Sequence, residues 1–184
     1  MKKLRSLWVA AFAMLVATLP VQAQQGLRPA ALYAQLGFAE HGTTTATVGA
    51  VWPWSWRTSL FGGELGGQTE AFASWWRADD FGGGHQSYLQ LGLLPVLRLR
   101  FDQGRSNWFV EAGIGVTWMD KIFSTPNTQF STSGNFHDML GAGYSWGANH
   151  EHEIGLRLVH ISNASLKRPN PGIEFLQLKY GRRF

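Results

Sequence analysis

Residues 108 to 118 read WFVEAGIGVTW, and every second side chain is of one kind. Trp108, Val110, Ala112, Ile114, Val116 and Trp118 are apolar, whereas Phe109, Glu111, Gly113, Gly115 and Thr117 are mostly small, polar or charged. Successive side chains of a β-strand point to opposite faces, so this period of two predicts a strand with one fully apolar face. The two tryptophans share that face ten residues apart, about 33 Å along a strand at ~3.3 Å per residue. A tilt near 40° shortens the span to about 25 Å, the height of the apolar band between the aromatic girdles of a transmembrane barrel.

The rest of the chain repeats the pattern. Eight segments of period two fall at roughly 27 to 38, 43 to 54, 59 to 75, 86 to 101, 107 to 118, 135 to 146, 151 to 162 and 173 to 184. Among the odd-numbered connections are Gly82-Gly83-Gly84 and the stretch Asp120 to Ser133, whereas the even-numbered ones are tight, as in Asp102-Gln103-Gly104-Arg105. Long and short connections then lie at opposite ends, as in outer-membrane barrels. Glu111, Glu153 and Arg157, with Gly141, Gly143 and Gly155, share the other parity and point into a narrow lumen that side chains fill. Trp52, Trp54 and Trp56, and Trp75 and Trp76, are assigned to the girdles; a soluble core would scatter tryptophan along the strands.

Lys2, Lys3 and Arg5, the apolar run Leu7 to Leu19 and the closing Val21-Gln22-Ala23 predict a signal peptide over residues 1 to 23. Residues 24 to 184 then form one barrel domain. Loss of those three basic residues takes sixteen cations to thirteen against twelve acids, so the high isoelectric point implies no nucleic-acid partner. No run of 18 apolar residues follows Ala23, which excludes a helical membrane protein. No cysteine is present, so disulfides play no part. The terminal Phe184, sharing a parity with Leu178 and Tyr180, resembles the targeting signal of outer-membrane barrels, although Arg182 interrupts it. The expected fold class is therefore all-β, an eight-stranded antiparallel transmembrane β-barrel of the outer membrane.

In such a barrel the seventh strand ends outside the cell. Its apolar parity reads Ile154, Leu156, Leu158, His160, Ser162, and that of the eighth strand reads Glu174, Leu176, Leu178, Tyr180. His160, Ser162 and Glu174 thus gather on one lipid-facing patch at the outer end, where ionisable groups are a functional signal. A serine hydroxyl needs a base within reach, a histidine two residues along the same face can supply it, and a glutamate can hold the other ring nitrogen. Asn163, Asn170 and the loop amides around Ser165 are close enough in sequence to orient substrate or bind an oxyanion. Lys167 and Arg168 in the same loop suit a phosphate. The residues alone leave two readings open: a hydrolytic site, or polar side chains resting among lipid headgroups.

His160-Ile161-Ser162-Asn163-Ala164, followed by Lys167, Pro169, Asn170 and Gly172-Ile173-Glu174, resembles the active-site segment of the lipid A 3-O-deacylase (PagL) family. FVEAGIGV at 109 to 116 and NFHDMLGAG at 135 to 143 resemble further blocks of that family, so the likeness covers most of the second half of the mature chain. The resemblance implies an outer-membrane esterase that cleaves the 3-O-linked acyl chain of lipid A and releases a 3-hydroxy fatty acid. It gives Ser162 as nucleophile, His160 as base and then acid, and Glu174 as the orienting carboxylate, with Asn170 and the amide near Ser165 as oxyanion donors. Ser165 stands where some members have glycine. Lipid A or lipopolysaccharide of the outer leaflet and the surrounding membrane lipids are the implied partners, with a homodimer left open and no cofactor or metal required. The competing readings are a non-catalytic adhesin or anchor, another outer-membrane lipid hydrolase or acyltransferase, and a soluble ligand-carrying barrel. His150 and His152 sit in a short turn on what reads as one face and lack the further ligands a metal would need. Asp79 and Asp80 beside the triple glycine lack a calcium-loop spacing and read as a flexible outer loop.

Overall fold

The computed structural model describes residues 28–184; the predicted signal peptide and its cleavage point lie outside them. Eight strands run in chain order: β1 (Ala31–Ala39), β2 (Thr44–Leu60), β3 (Gly63–Asp79), β4 (His85–Arg100), β5 (Trp108–Met119), β6 (Gly134–Trp146), β7 (His152–Ser162) and β8 (Ile173–Arg183). Each pairs antiparallel with its chain neighbour, and β1 pairs with β8 from Ala31↔Arg183 to Ala39↔Phe175, so the sheet closes into a barrel. Closure leaves no edge whose backbone groups would lack partners in hydrocarbon.

Six of the eight strands match the sequence expectation to within a few residues, and β2 and β3 differ. The Trp-Pro-Trp-Ser-Trp run reads as a strand end, yet β2 continues to Leu60 through an irregularity between Pro53 and Arg57. A bulge is where a proline, which has no N–H to donate, is accommodated inside a sheet. Beyond it the chain reverses at Phe61 and Gly62, both at positive φ, which moves the start of β3 to Gly63. The connections are also less regular than expected. The first outer one spans only residues 40–43, whereas the inner connection 101–107 contains a 3-10 turn.

The parity of β5 is as predicted: Trp108 and Trp118 are 59% and 66% exposed on the outer surface, and Phe109 and Glu111 are buried within. Trp76 and Trp54 correct the girdle assignment. Adjacent residues must face opposite ways, so Trp75 lies outside while Trp76 is buried in the lumen and donates to Gln90 Oε1 at 3.2 Å. The bulge turns Trp54 inward over Gly67, where its indole N–H reaches Thr69 Oγ1 at 3.0 Å. At the inner rim, His152 stacks on Trp146 and meets Tyr180 Oη at 2.9 Å. His150 occupies the neighbouring turn at positive φ and lines the luminal mouth, so the two histidines do not share a face.

Inside, the barrel divides into two layers. The outer half is an aromatic plug in which Trp76 meets Phe123 at 5.3 Å and Phe175 at 4.7 Å, with Tyr88 and Phe130 also against Phe123. Phe123 and Phe130 belong to the connection 120–133, which folds back into the mouth. The middle holds three carboxylates and three cations. Glu70 accepts two bonds from Arg157, at 2.7 and 2.9 Å, and one from Lys179 at 3.0 Å. Glu111 bridges Arg157 and Arg98, and Glu153 bridges Arg98 and Lys179.

Such a network is stable only while complete, because removing one member leaves opposite charges buried without a partner. Glu70→Ala is expected to lower stability by about 3–5 kcal/mol. Urea titration of the refolded barrel, followed by its heat-dependent gel mobility, measures this, and a second change, Lys179→Met, should recover part of the loss.

Candidate active site

The ends of β7 and β8 are held from inside. Ile161 and Ile173 face each other across the ladder, and both are buried in the aromatic plug. Alternation then requires His160, Ser162 and Glu174 to point outward. His160 and Glu174 are direct cross-strand partners, and His160 Nδ1 meets Glu174 Oε1 at 2.9 Å. Their side chains are 40% and 74% exposed.

Ser162 stands one pleat further out on β7. Its hydroxyl is turned to the amide of Ala164, which donates to Oγ at 3.4 Å, and it makes no hydrogen bond with His160. Contacts between a nucleophile and its base commonly tighten only when substrate binds. Gly172 covers the other side of the imidazole. A Cβ there would lie 2.6 Å from His160 Cε1, and the residue has φ +74°, a conformation that glycine adopts without strain.

The loop 163–172 is built around Asn163, which is buried. Its side-chain amide donates to Ser131 Oγ and to the Lys167 carbonyl, both at 2.9 Å, and its backbone N–H donates to Asn170 Oδ1 at 2.9 Å. Both side-chain hydrogens are consumed, so Asn163 anchors the loop and has none left for an oxyanion. Asn170 is the converse case. A backbone N–H can only donate, which fixes the oxygen of the Asn170 amide toward Asn163 and leaves its NH₂ group free. Ala164 and Ser165 take φ of 52° and 66°, the left-handed region that favours glycine. The Ser165 amide has no partner among the described residues. The side chains of Lys167 and Arg168 are exposed.

Below the histidine, an apolar groove of about 880 Å³ runs down the outer wall across β5 to β8 and β1, lined by Ala112, Ile114, Leu140, Leu158 and Leu176. His160, Glu174 and Asp138 form its polar end. The sequence pattern assigns no role to Ser131, Asp138 or Gly172, although Gly172 lies within the motif that carries the family resemblance. Asp138 was legible from its place on the apolar parity of β6; Ser131 was not, because its role depends on how the loop 120–133 folds back. Among the described residues, no three histidines or carboxylates are grouped to hold a metal ion. Asp79 pairs with His85 at 3.2 Å, and Asp80 accepts from the amide of Phe81.

Comparison with known proteins agrees with the geometry. The family model described as lipid A 3-O-deacylase (PagL) matches residues 40–183. The lipid A deacylase PagL of Pseudomonas aeruginosa is 35% identical over 150 residues, covering 80% of this chain and 82% of that protein. The protein of the same name from Bordetella bronchiseptica is 33% identical over 132 residues, covering 71% and 70%. The crystal structure of the outer membrane enzyme PagL superposes with a TM-score of 0.72 at 30% identity, covering 84% of this chain and all of that one. With its closed barrel and a match across nearly all the described residues, the chain belongs to the lipid A 3-O-deacylase (PagL) family of outer-membrane enzymes.

Proposed function

We propose that this protein hydrolyses the ester at position 3 of lipid A in the outer leaflet and releases a 3-hydroxy fatty acid through Ser162, His160 and Glu174. The observation that carries the reading is the His160–Glu174 hydrogen bond at 2.9 Å, placed on the lipid face at the head of an acyl-sized groove, with Ser162 one pleat above. Glu174 accepts a hydrogen bond from the Nδ1–H, which fixes the tautomer and leaves Nε2 as the base.

Ser162 Oγ attacks the ester carbonyl carbon while its proton passes to His160 Nε2. The negative charge that develops on the carbonyl oxygen meets the NH₂ of Asn170 and the amide of Ser165, donors already turned away from other partners. Collapse breaks the bond to the sugar oxygen, which leaves with the proton from His160, and the acyl group remains on Ser162. Water then gives a proton to His160 and attacks the acyl-serine, and His160 returns that proton to Ser162 as the fatty acid departs. Lys167 and Arg168, exposed at the headgroup level, hold the sugar phosphates and so orient the ester. The acyl chain lies in the groove throughout, so the substrate enters sideways from the leaflet.

Ser162→Ala and His160→Ala should each reduce the rate by about 10⁴- to 10⁶-fold, and Glu174→Ala by about 10²- to 10⁴-fold, with normal heat-dependent gel mobility in all three. Mass spectrometry of lipid A from cells carrying each variant tests this, and substantial activity in Ser162→Ala would remove the nucleophile assignment. Gly172→Ala places a methyl group against the imidazole and strains the backbone, so kcat should fall about tenfold or more in a barrel that still assembles. Deacylation by purified Gly172→Ala in detergent reads this directly; an unchanged kcat would show that the glycine does not set the ring. Because the developing charge is met by Asn170 and backbone amides, activity should persist with divalent ions chelated, and glycerophospholipids should remain uncleaved. Calcium dependence with fatty-acid release from phospholipid would favour the phospholipase reading instead.

A further inference from the structure

Arginines gather at the inner mouth of the lumen. Arg57 on β2, Arg98 and Arg100 on β4 and Arg183 on β8 line a cavity of about 210 Å³, with Glu64 and His150 also in its wall. Two of these cations are neutralised. Arg98 belongs to the mid-height network, where three carboxylates meet three cations, and it donates to Glu153 at 2.7 Å and to Glu111 at 2.8 Å. Arg57 pairs with Glu64 at 3.5 Å. The same Glu64 is the cross-strand partner of Arg100, yet it forms no ion pair with it.

Arg100 and Arg183 are left without a carboxylate. Neutral acceptors pin Arg100: the carbonyls of Ser106 and Asn107 at 2.9 and 3.4 Å, and Ser145 Oγ at 3.0 Å. The Arg183 guanidinium makes no hydrogen bond or ion pair among the described residues. Both residues are partly buried. Neutral oxygens orient a guanidinium without balancing its charge, and salt screens a partly buried charge less than one on an open surface. His150, in the turn between β6 and β7, registers the excess. Burial and the positive charges of Arg100 and Arg183 hold its ring below the ordinary histidine range. Its Nδ1 is covered by protein and has no partner.

We propose that this mouth binds a small divalent oxyanion of the phosphate class, clasped between Arg100 and Arg183 with the His150 ring beside it. Charge and size select the ligand. One dianion balances the two guanidiniums that nothing else neutralises, whereas a carboxylate balances only one. A guanidinium is a planar fork of N–H groups that matches two phosphate oxygens. The space equals about seven waters at ~30 Å³ each, enough for a phosphate with a short substituent and too little for a lipid tail. The site lies at the opposite end of β7 and β8 from His160, so it stands apart from the hydrolytic reading.

Calorimetric titration of the purified full-length barrel tests this, in a phosphate-free detergent at mildly alkaline pH and fixed ionic strength. Inorganic phosphate and glycerol phosphate should each bind about tenfold or more tighter than acetate. Arg183→Gln should weaken phosphate by about ten- to a hundredfold, the range expected for hydrogen bonds to a charged group. Arg183→Lys, which keeps the charge and loses the fork, should fall between. Both variants should retain the heat-dependent gel mobility of a closed barrel. In NMR spectra, phosphate should shift the ring signals of His150, identified by their loss in His150→Gln, and leave those of His160 in place. Acetate binding as tightly as phosphate, or unchanged phosphate affinity in Arg183→Gln, would overturn the inference. So would shifts at His160 with none at His150. Phosphatidic acid bound in micelles, with neither soluble phosphate bound, would also overturn it and place the anion on the lipid-facing rim.

Discussion

The ion network around Glu70 and Arg157 is the constraint on which the rest of the barrel depends. Glu70 belongs to β3, Glu111 to β5, Arg157 to β7 and Lys179 to β8, so four strands are tied at one height. A slip of one residue in any of them would turn a charged side chain to the lipid and an outward-facing one to the lumen. Apolar contacts tolerate small shifts, but hydrogen-bonded charges in a dry interior do not. The network therefore sets register more than it adds stability, and register decides which residues meet at the outer rim.

Three of those rim residues make up the proposed site because the same alternation runs on past the network. Arg157 and Val159 point in, Leu158 and His160 point out, Ile161 returns to the plug, and Ser162 takes the outward parity although it is only 8% exposed. The inward residues hold the strand end, while the outward ones are freed from packing duties. The proposed chemistry can then occupy a surface that lipid wets. The loop beyond gains its shape from within as well, since Asn163 is held by Ser131 from the connection that plugs the mouth. The sealing of the barrel and the setting of the site thus share one set of contacts.

Barrel, strand count and the face of each site residue were legible in the sequence because they depend on a period of two that local composition writes directly. The pairing of His160 with Glu174 was legible for the same reason. What escaped notice depends on three-dimensional closure. Trp76 could have been placed inside by parity with Trp75, but the inward turn of Trp54 follows from a bulge whose position the proline only hints at. Asn163 looked like an oxyanion donor because it adjoins Ser162; its amide is consumed by Ser131, thirty-two residues away in sequence, and no local pattern signals that contact. Gly172 is the intermediate case, a glycine in a loop whose meaning appears only once the imidazole beside it is located.

A membrane-facing site also resolves a difficulty that a luminal one would create. The lumen at mid-height is filled by side chains from Tyr33 to Lys179, so no acyl chain can enter it, whereas the outer wall at the same height offers small residues on β5 and leucines on β6 to β8. Hydrocarbon already occupies that wall in the bilayer, so a substrate tail exchanges one apolar neighbour for another and gains little from burial alone. Discrimination between lipids must then come from the few polar groups at the head of the groove and in the loop above it. The Asn170 amide, whose oxygen is held by the Asn163 N–H, is one such polar group in the loop above the groove.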